Sequence, residues 1–132
     1  MAKKPKFPGI NEKFVKKGAS GITEKDLDKV NKKSEEIRGK FEKGGPLGRF
    51  IDDGKLLISI VKDYINGNYR KIPWWALTAI GFTLLYVFNP IDIIPDVVPV
   101  IGLLDDAAVV AICLVMVEQQ LYEYKEWKAS HS

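Results

Sequence analysis

Asp92, Asp96, Asp105 and Asp106 fall within one short stretch, NPIDIIPDVVPVIGLLDD, residues 89–106, which contains no lysine, arginine or histidine. Carboxylates gathered among apolar residues need a cation, a proton or water to offset their repulsion. A hard divalent cation takes oxygen ligands, so Mg²⁺, Mn²⁺ or Ca²⁺ would suit the four aspartates, with Asn89 as a neutral ligand. One aspartate with a raised pKa could instead serve as a general acid or base, or relay a proton. A carboxylate pair also suits glycoside hydrolysis, but the stretch offers no sugar-binding cleft. The plain alternative is structural. Asp92 and Asp96 can cap short turns, and Asp105 or Asp106 suits the first turn of a helix, where the dipole favours negative charge. Pro90, Pro95, Pro99 and Gly102 shape the loop in either case.

Other chemistries are thin. His131 and Cys113 are the single histidine and cysteine, which removes Ser-His-Asp, Cys-His and histidine-based zinc sites within one chain. Cys113 sits in AAVVAICLVMV and reads as a packed hydrophobe, because a reactive thiolate wants a positive, accessible setting. His131 is expected to fray with the C-terminus. The stretch KGGPLGR lacks the lysine and Ser/Thr of a phosphate-binding loop and reads as a helix breaker. The N-terminal residues carry no apolar run of the signal-peptide kind.

The elements that must position the aspartates follow from charge and periodicity. Residues 1–71 carry 18 Lys/Arg against 10 Asp/Glu, a net +8, and residues 72–132 carry 2 against 7, a net −5. A basic half joined to an apolar, acidic half suits an anionic partner surface. Residues 1–22 are rich in lysine, glycine and proline and are expected to form a disordered basic arm. Their interleaved Phe7 and Phe14 match no nucleic-acid-binding module, so nucleic acid is an unlikely partner. Thr23 and Asp26 form a capping box. Behind it Leu27, Val30, Ser34, Ile37 and Phe41 make a helical stripe that Gly44, Gly45 and Pro46 end. A second amphipathic helix is expected over about 47–66, closed by Gly67. Residues 23–71 therefore read as two amphipathic helices, and the face over 23–66 is a candidate contact for a protein partner or a second copy.

From Ile72 to Ile91 the chain carries no charge. Pro73 suits a first helical turn, and Asn89-Pro90 should end the helix. A last helix is expected over about 104–128. Laid antiparallel, the two form a hairpin over 72–132 with the aspartate loop at its far end. Trp74, Trp75, Tyr122, Tyr124 and Trp127 then share one level beside Arg70 and Lys71, as at a membrane interface. The fold class is all-α, with about four helices. The partner is a lipid bilayer with anionic headgroups, or the hairpin is instead the core of a soluble helical domain. If the hairpin enters a bilayer, the positive-inside rule puts the basic half in the cytoplasm.

Tyr86, Pro90, Ile91, Asp92, Ile94, Pro95, Asp96, Pro99, Gly102, Leu104, Asp105 and Asp106 read Y-x-x-x-P-I-D-x-I-P-D-x-x-P-x-x-G-x-L-D-D. This is similar to the hallmark of the YkvA-like family of small bacterial proteins, over roughly residues 74–114. The resemblance implies a helical hairpin and association with the bacterial inner membrane. It implies no assigned activity, since the family is described as a domain of unknown function. The chain therefore reads as a membrane-associated accessory or interaction protein. The alternative is a divalent-metal-dependent enzyme acting on lipid headgroups through the aspartates. An accessory role would be sensitive at Leu27, Val30, Ile37 and Phe41, and an enzyme at the aspartates.

A metal site in the loop is tested by thermal unfolding with EDTA, Mg²⁺, Mn²⁺ or Ca²⁺. Metal at a hundredfold excess over its Kd should stabilise the fold by about 2.7 kcal/mol, and Asp92→Asn or Asp105→Asn should abolish the gain. An unchanged Tm throughout leaves the carboxylates as caps and turn formers.

Overall fold

The computed structural model describes residues 11–89 and 106–131. Among them are seven α-helices: α1 Glu12–Ala19, α2 Glu24–Lys32, α3 Ser34–Glu42, α4 Ile51–Ile65, α5 Trp74–Phe88, α6 Asp106–Met116 and α7 Glu118–His131. A 3-10 turn, Gly45–Phe50, leads into α4. The class is all-α, as expected, with more helices than the four expected.

Local chemistry sets the boundaries. The Thr23 side chain accepts from the Asp26 N–H, and the Asp26 carboxylate accepts from the Thr23 N–H at 2.9 Å, closing the capping box that starts α2. Gly44 and Gly45 take positive φ at 86° and 66°, and Gly67 takes 81° just beyond α4, a region other residues avoid. Asn89 ends α5 in an extended conformation, φ −161° and ψ 90°, as the residue before a proline must.

Helix α5 lies at the centre. Every residue from Ala76 to Val87 is buried, and α1, α2, α3, α4 and α6 all pack on it. A helix with no polar side must be covered all round. The stripe Leu27, Val30, Ser34, Ile37 and Phe41 is buried along its whole length, with α2 and α3 packed on α4 and α5. It is thus occupied by the chain's own helices, and a partner using it would have to displace them. Polar substitutions there would test the fold rather than an accessory contact.

Glycines allow the close approach. A Cβ at Gly81 would lie 2.7 Å from a Leu27 methyl, one at Gly54 would lie 2.8 Å from the Phe41 ring, and one at Gly18 would lie 2.1 Å from the Phe82 ring.

Four expectations are corrected. The arm expected to be disordered contains α1: Asn11 caps it by accepting from the Phe14 N–H at 3.0 Å. Val15, Ala19 and Ile22 are buried, and Phe14 meets Phe82 and Tyr86 edge-on at 5.7 and 5.8 Å. A lysine-rich segment becomes helical because its few apolar residues share the side that faces α5. The single helix expected after Thr23 breaks at Lys33, which leaves the helical region at φ −99° and ψ 15°. The single helix expected over about 104–128 breaks at Val117, with α6 and α7 bent by 74°. His131 does not fray; it stacks on Trp127 at 4.8 Å as the last residue of α7.

The glycine contacts give a paired prediction. Gly18→Ala should cost about 1–3 kcal/mol through overpacking against Phe82. Gly39→Ala, in α3 with open space around it, should be stabilising by about 0.5–1 kcal/mol. Thermal melts followed by circular dichroism check both.

Candidate functional site

Two regions bear on function, the N-terminal end of α5 and the aspartate-containing stretch that follows it in the sequence. At the N-terminal end, Pro73 precedes the first turn and no side chain caps it. Trp74 and Trp75 are 47% and 49% exposed. Arg70 and Lys71 just before them are exposed too, and the Arg70 guanidinium lies over the Tyr64 ring at 4.3 Å. Tyr122 is 58% exposed. Tyr124 and Trp127 behave differently from the interface expectation. Tyr124 is buried, and Trp127 is half-buried, packed on Tyr69 at 4.9 Å and on Tyr124 at 5.8 Å. They serve the packing of α7 rather than an exposed ring of aromatics.

In the sequence, the aspartate region follows α5. Asp92, Asp96, Asp105, Pro90, Pro95, Pro99 and Gly102 lie outside the described residues. Asn89 closes α5 and Asp106 opens α6. The Cys113 thiol lies 3.7 Å from the Ala79 carbonyl oxygen, where α5 and α6 pack together. The Tyr86 hydroxyl and one Asp106 carboxylate oxygen are both shielded from solvent. Among the described residues no group of three or more His, Cys, Asp or Glu is arranged to hold a metal.

A third constellation was not legible in the sequence, because its members are some 60 residues apart. The Tyr124 hydroxyl donates to Asp63 Oδ2 at 2.5 Å, leaving Ser59 to donate to Tyr124 Oη at 2.5 Å. Lys128 Nζ donates to Asp63 Oδ2 and to Ser59 Oγ, each at 3.2 Å. A serine beside a lysine suggests a nucleophile with its base, but the charge states oppose it. Burial works to raise the Asp63 pKa, yet hydrogen bonds from Tyr124 and Lys128 outweigh it and hold the carboxyl below its ordinary value. Burial opposes the Lys128 charge, and its hydrogen bonds to Asp63 and Tyr124 more than offset this, raising its pKa. Burial, then the Asp63 hydrogen bond, pushes the Tyr124 phenol up. Lysine stays protonated, aspartate ionised and phenol neutral. No base is available to activate Ser59, and the cluster is a clamp that fastens α7 to α4.

The arrangement is that of a small helical protein with one all-apolar central helix and a YkvA-like segment. Residues 76–112, spanning most of α5 and α6, match the family described as Protein of unknown function (DUF1232). The chain is 33% identical over 69 residues to the protein named Uncharacterized membrane protein YkvA from Bacillus subtilis (strain 168). That alignment covers 52% of this chain and 65% of the relative, so the chain spans a little under two thirds of the protein it matches. These matches support the YkvA-like family resemblance read from Tyr86 to Asp106. No solved structure matches. Helices α1 to α4 lie outside the family match.

The clamp makes stability depend on pH. Asp63 has a lowered folded pKa, so its contribution is present above the unfolded value, about 3.9, and is lost as pH falls through the folded pKa. Lys128 has a raised folded pKa, so its contribution is present below its unfolded value and is lost as pH rises through the folded one. Melts across pH 2–6 should show an acid limb that Asp63→Asn flattens. Tyr124→Phe should cost about 1.5–3 kcal/mol at neutral pH, as expected for a hydrogen bond to a charged group.

Proposed function

We propose that this chain is a small membrane-associated accessory protein whose bilayer-entering element is the hairpin of α5 and α6, with the basic N-terminal half on the cytoplasmic side of the bacterial inner membrane. The observation that carries the reading is α5 itself: charge-free, apolar on every side and flanked at its N-terminal end by two tryptophans and two cations. Interfacial tryptophans and cytoplasmic cations are what a membrane element shows at its inner boundary. The name of the Bacillus relative points the same way. Alone, α5 has 15 residues, about 22 Å at 1.5 Å per residue, against a hydrocarbon core of about 30 Å. No single described helix is long and apolar enough to cross a membrane, though α6 and α7 together pass that test as a bent pair.

A second reading draws on the burial of Ala76–Val87. In this conformation α1 to α4 already cover α5, so the same helix serves as the core of a folded bundle. The two readings become one if the bundle opens at the membrane and the covering helices move aside.

Fractionation of the protein expressed in a bacterium tests the proposal. It should sediment with membranes and resist both high salt and alkaline carbonate. Release by salt alone would reduce the attachment to surface binding without an inserted hairpin. A freely soluble monomer without detergent would sink the proposal.

A further inference from the structure

We propose that a groove between α7 and the chain linking α4 to α5 binds a primary ammonium joined to a phosphate, the phosphoethanolamine group. The ligand is free phosphoethanolamine or the headgroup of phosphatidylethanolamine, and only the lipid source rests on the membrane-associated reading above. The groove encloses about 370 Å³, within the range of small-molecule sites, about 300–1,000 Å³. Glu123, Glu126, Trp127, Ser130 and His131 line it from α7, a spacing that puts all five on one face of a helix. Tyr69 and Lys71 line it from the link between α4 and α5. Tyr69 is buried and packs on Tyr124 and Trp127 at 5.1 and 4.9 Å. His131 stacks on Trp127 at 4.8 Å. The aromatic lining is thus held in place by its own packing.

Charge selects the ligand. Each carboxylate has a neutral partner: Gln119 Nε2 donates to Glu123 at 3.2 Å, and the Tyr122 phenol donates to Glu126. Among the described residues neither glutamate is ion-paired, and neither is Lys71. Neighbouring cations are engaged elsewhere, Lys128 with Asp63 at 3.2 Å and Arg70 over the Tyr64 ring at 4.3 Å. Burial, then the Glu123 charge, pushes the Tyr69 phenol above its ordinary value, which sets that carboxylate close to the aromatic lining. Ser130 Oγ and His131 Nδ1 turn to the Trp127 carbonyl at 3.0 and 2.8 Å. Glu123, Glu126 and Lys71 are therefore the groups left to hold a ligand. A plain amine would be repelled by Lys71, and a plain anion by the two carboxylates. A molecule carrying both signs satisfies all three. Because Lys71 stands apart from the carboxylates rather than pairing with them, the ligand's charges must be separated too, as an ammonium and a phosphate are across two methylene groups. The ammonium supplies three donors to the carboxylates, Lys71 meets the phosphate as a point charge, and the methylenes lie along the aromatic lining.

The test is calorimetric titration of the full chain with phosphoethanolamine, ethanolamine and inorganic phosphate, beside co-sedimentation with phosphatidylcholine vesicles with and without phosphatidylethanolamine. Phosphoethanolamine should bind better than either fragment. Vesicles containing phosphatidylethanolamine should bind better than phosphatidylcholine alone, whose trimethylated ammonium has no donor. Glu123→Gln with Glu126→Gln should weaken phosphoethanolamine binding about tenfold and erase the vesicle preference. Lys71→Gln should weaken phosphoethanolamine binding but not ethanolamine binding. Glu35→Gln with Glu36→Gln on α3 changes the net charge equally and should bind as wild type does. Melting curves confirm that each variant is folded. If the folded Glu123/Glu126 variant binds phosphoethanolamine as wild type does, the inference is overturned. If ethanolamine binds as tightly as phosphoethanolamine and Lys71→Gln changes neither, the groove takes a plain cation and the inference is again overturned. If wild type binds vesicles without preference and binds no phosphoethanolamine, the groove is not a site and the membrane reading survives. If it binds phosphoethanolamine but no vesicle, the groove is upheld with the free compound as its ligand, and the membrane reading fails.

Discussion

Helix α5 imposes the condition that the rest of the molecule meets. From Ala76 to Val87 no side of it faces solvent, and a helix apolar on every side is stable only inside something. In the folded bundle that cover comes from five neighbouring helices. Most of them are short, and α1, α2 and α3 are charged on their outer sides, so each contributes a narrow apolar strip. Short amphipathic helices of this kind are marginal alone and owe their order to the surface they cover. The glycine contacts at Gly18 and Gly81 follow from the same condition, since close approach is how thin strips bury a whole helix. A bilayer would be another cover for α5. That equivalence links the bundle seen here to the membrane-associated reading.

The second ordering feature is the polar clamp between α4 and α7. Because α6 and α7 part at Val117, nothing in their own sequence fixes the direction of α7. Tyr124, Asp63, Ser59 and Lys128 do so, with Tyr69 and Trp127 packed alongside. The clamp draws Tyr124 and Trp127 into packing and leaves Tyr122 on the outer side. Its charge states also separate structure from chemistry. A protonated lysine and an ionised aspartate sharing a phenol form a fastening, with no proton acceptor left over for the serine.

The family match falls within the apolar, acidic half of the chain, and the covering helices α1 to α4 fall within the basic half. The matched segment holds α5 and most of α6, while α1 to α4 lie beyond it. The shared part contains Tyr86 and Asp106, and the tyrosine hydroxyl and one aspartate oxygen are shielded from solvent.

Much of the local structure was legible in the sequence. The capping box at Thr23, the stops at Gly44, Gly45 and Gly67, the end of α5 before Pro90 and the inward stripe from Leu27 to Phe41 all follow from short-range rules. Caps need a side chain three residues away, turns need a residue that tolerates positive φ, and stripes need a helical period. These are properties of neighbouring residues, so the linear order determines them. The tertiary structure decided what depends on distant partners. Residues 12–19 are helical because α5 offers Phe82 and Tyr86 to Phe14 and a notch forms at Gly18. Val117 is a bend because α7 has a better site on α4 than in line with α6. Asp63 and Tyr124 form a clamp because chain segments some 60 residues apart meet only after the bundle closes. No local pattern records such meetings, since burial and hydrogen bonding between distant residues exist only once the chain has folded.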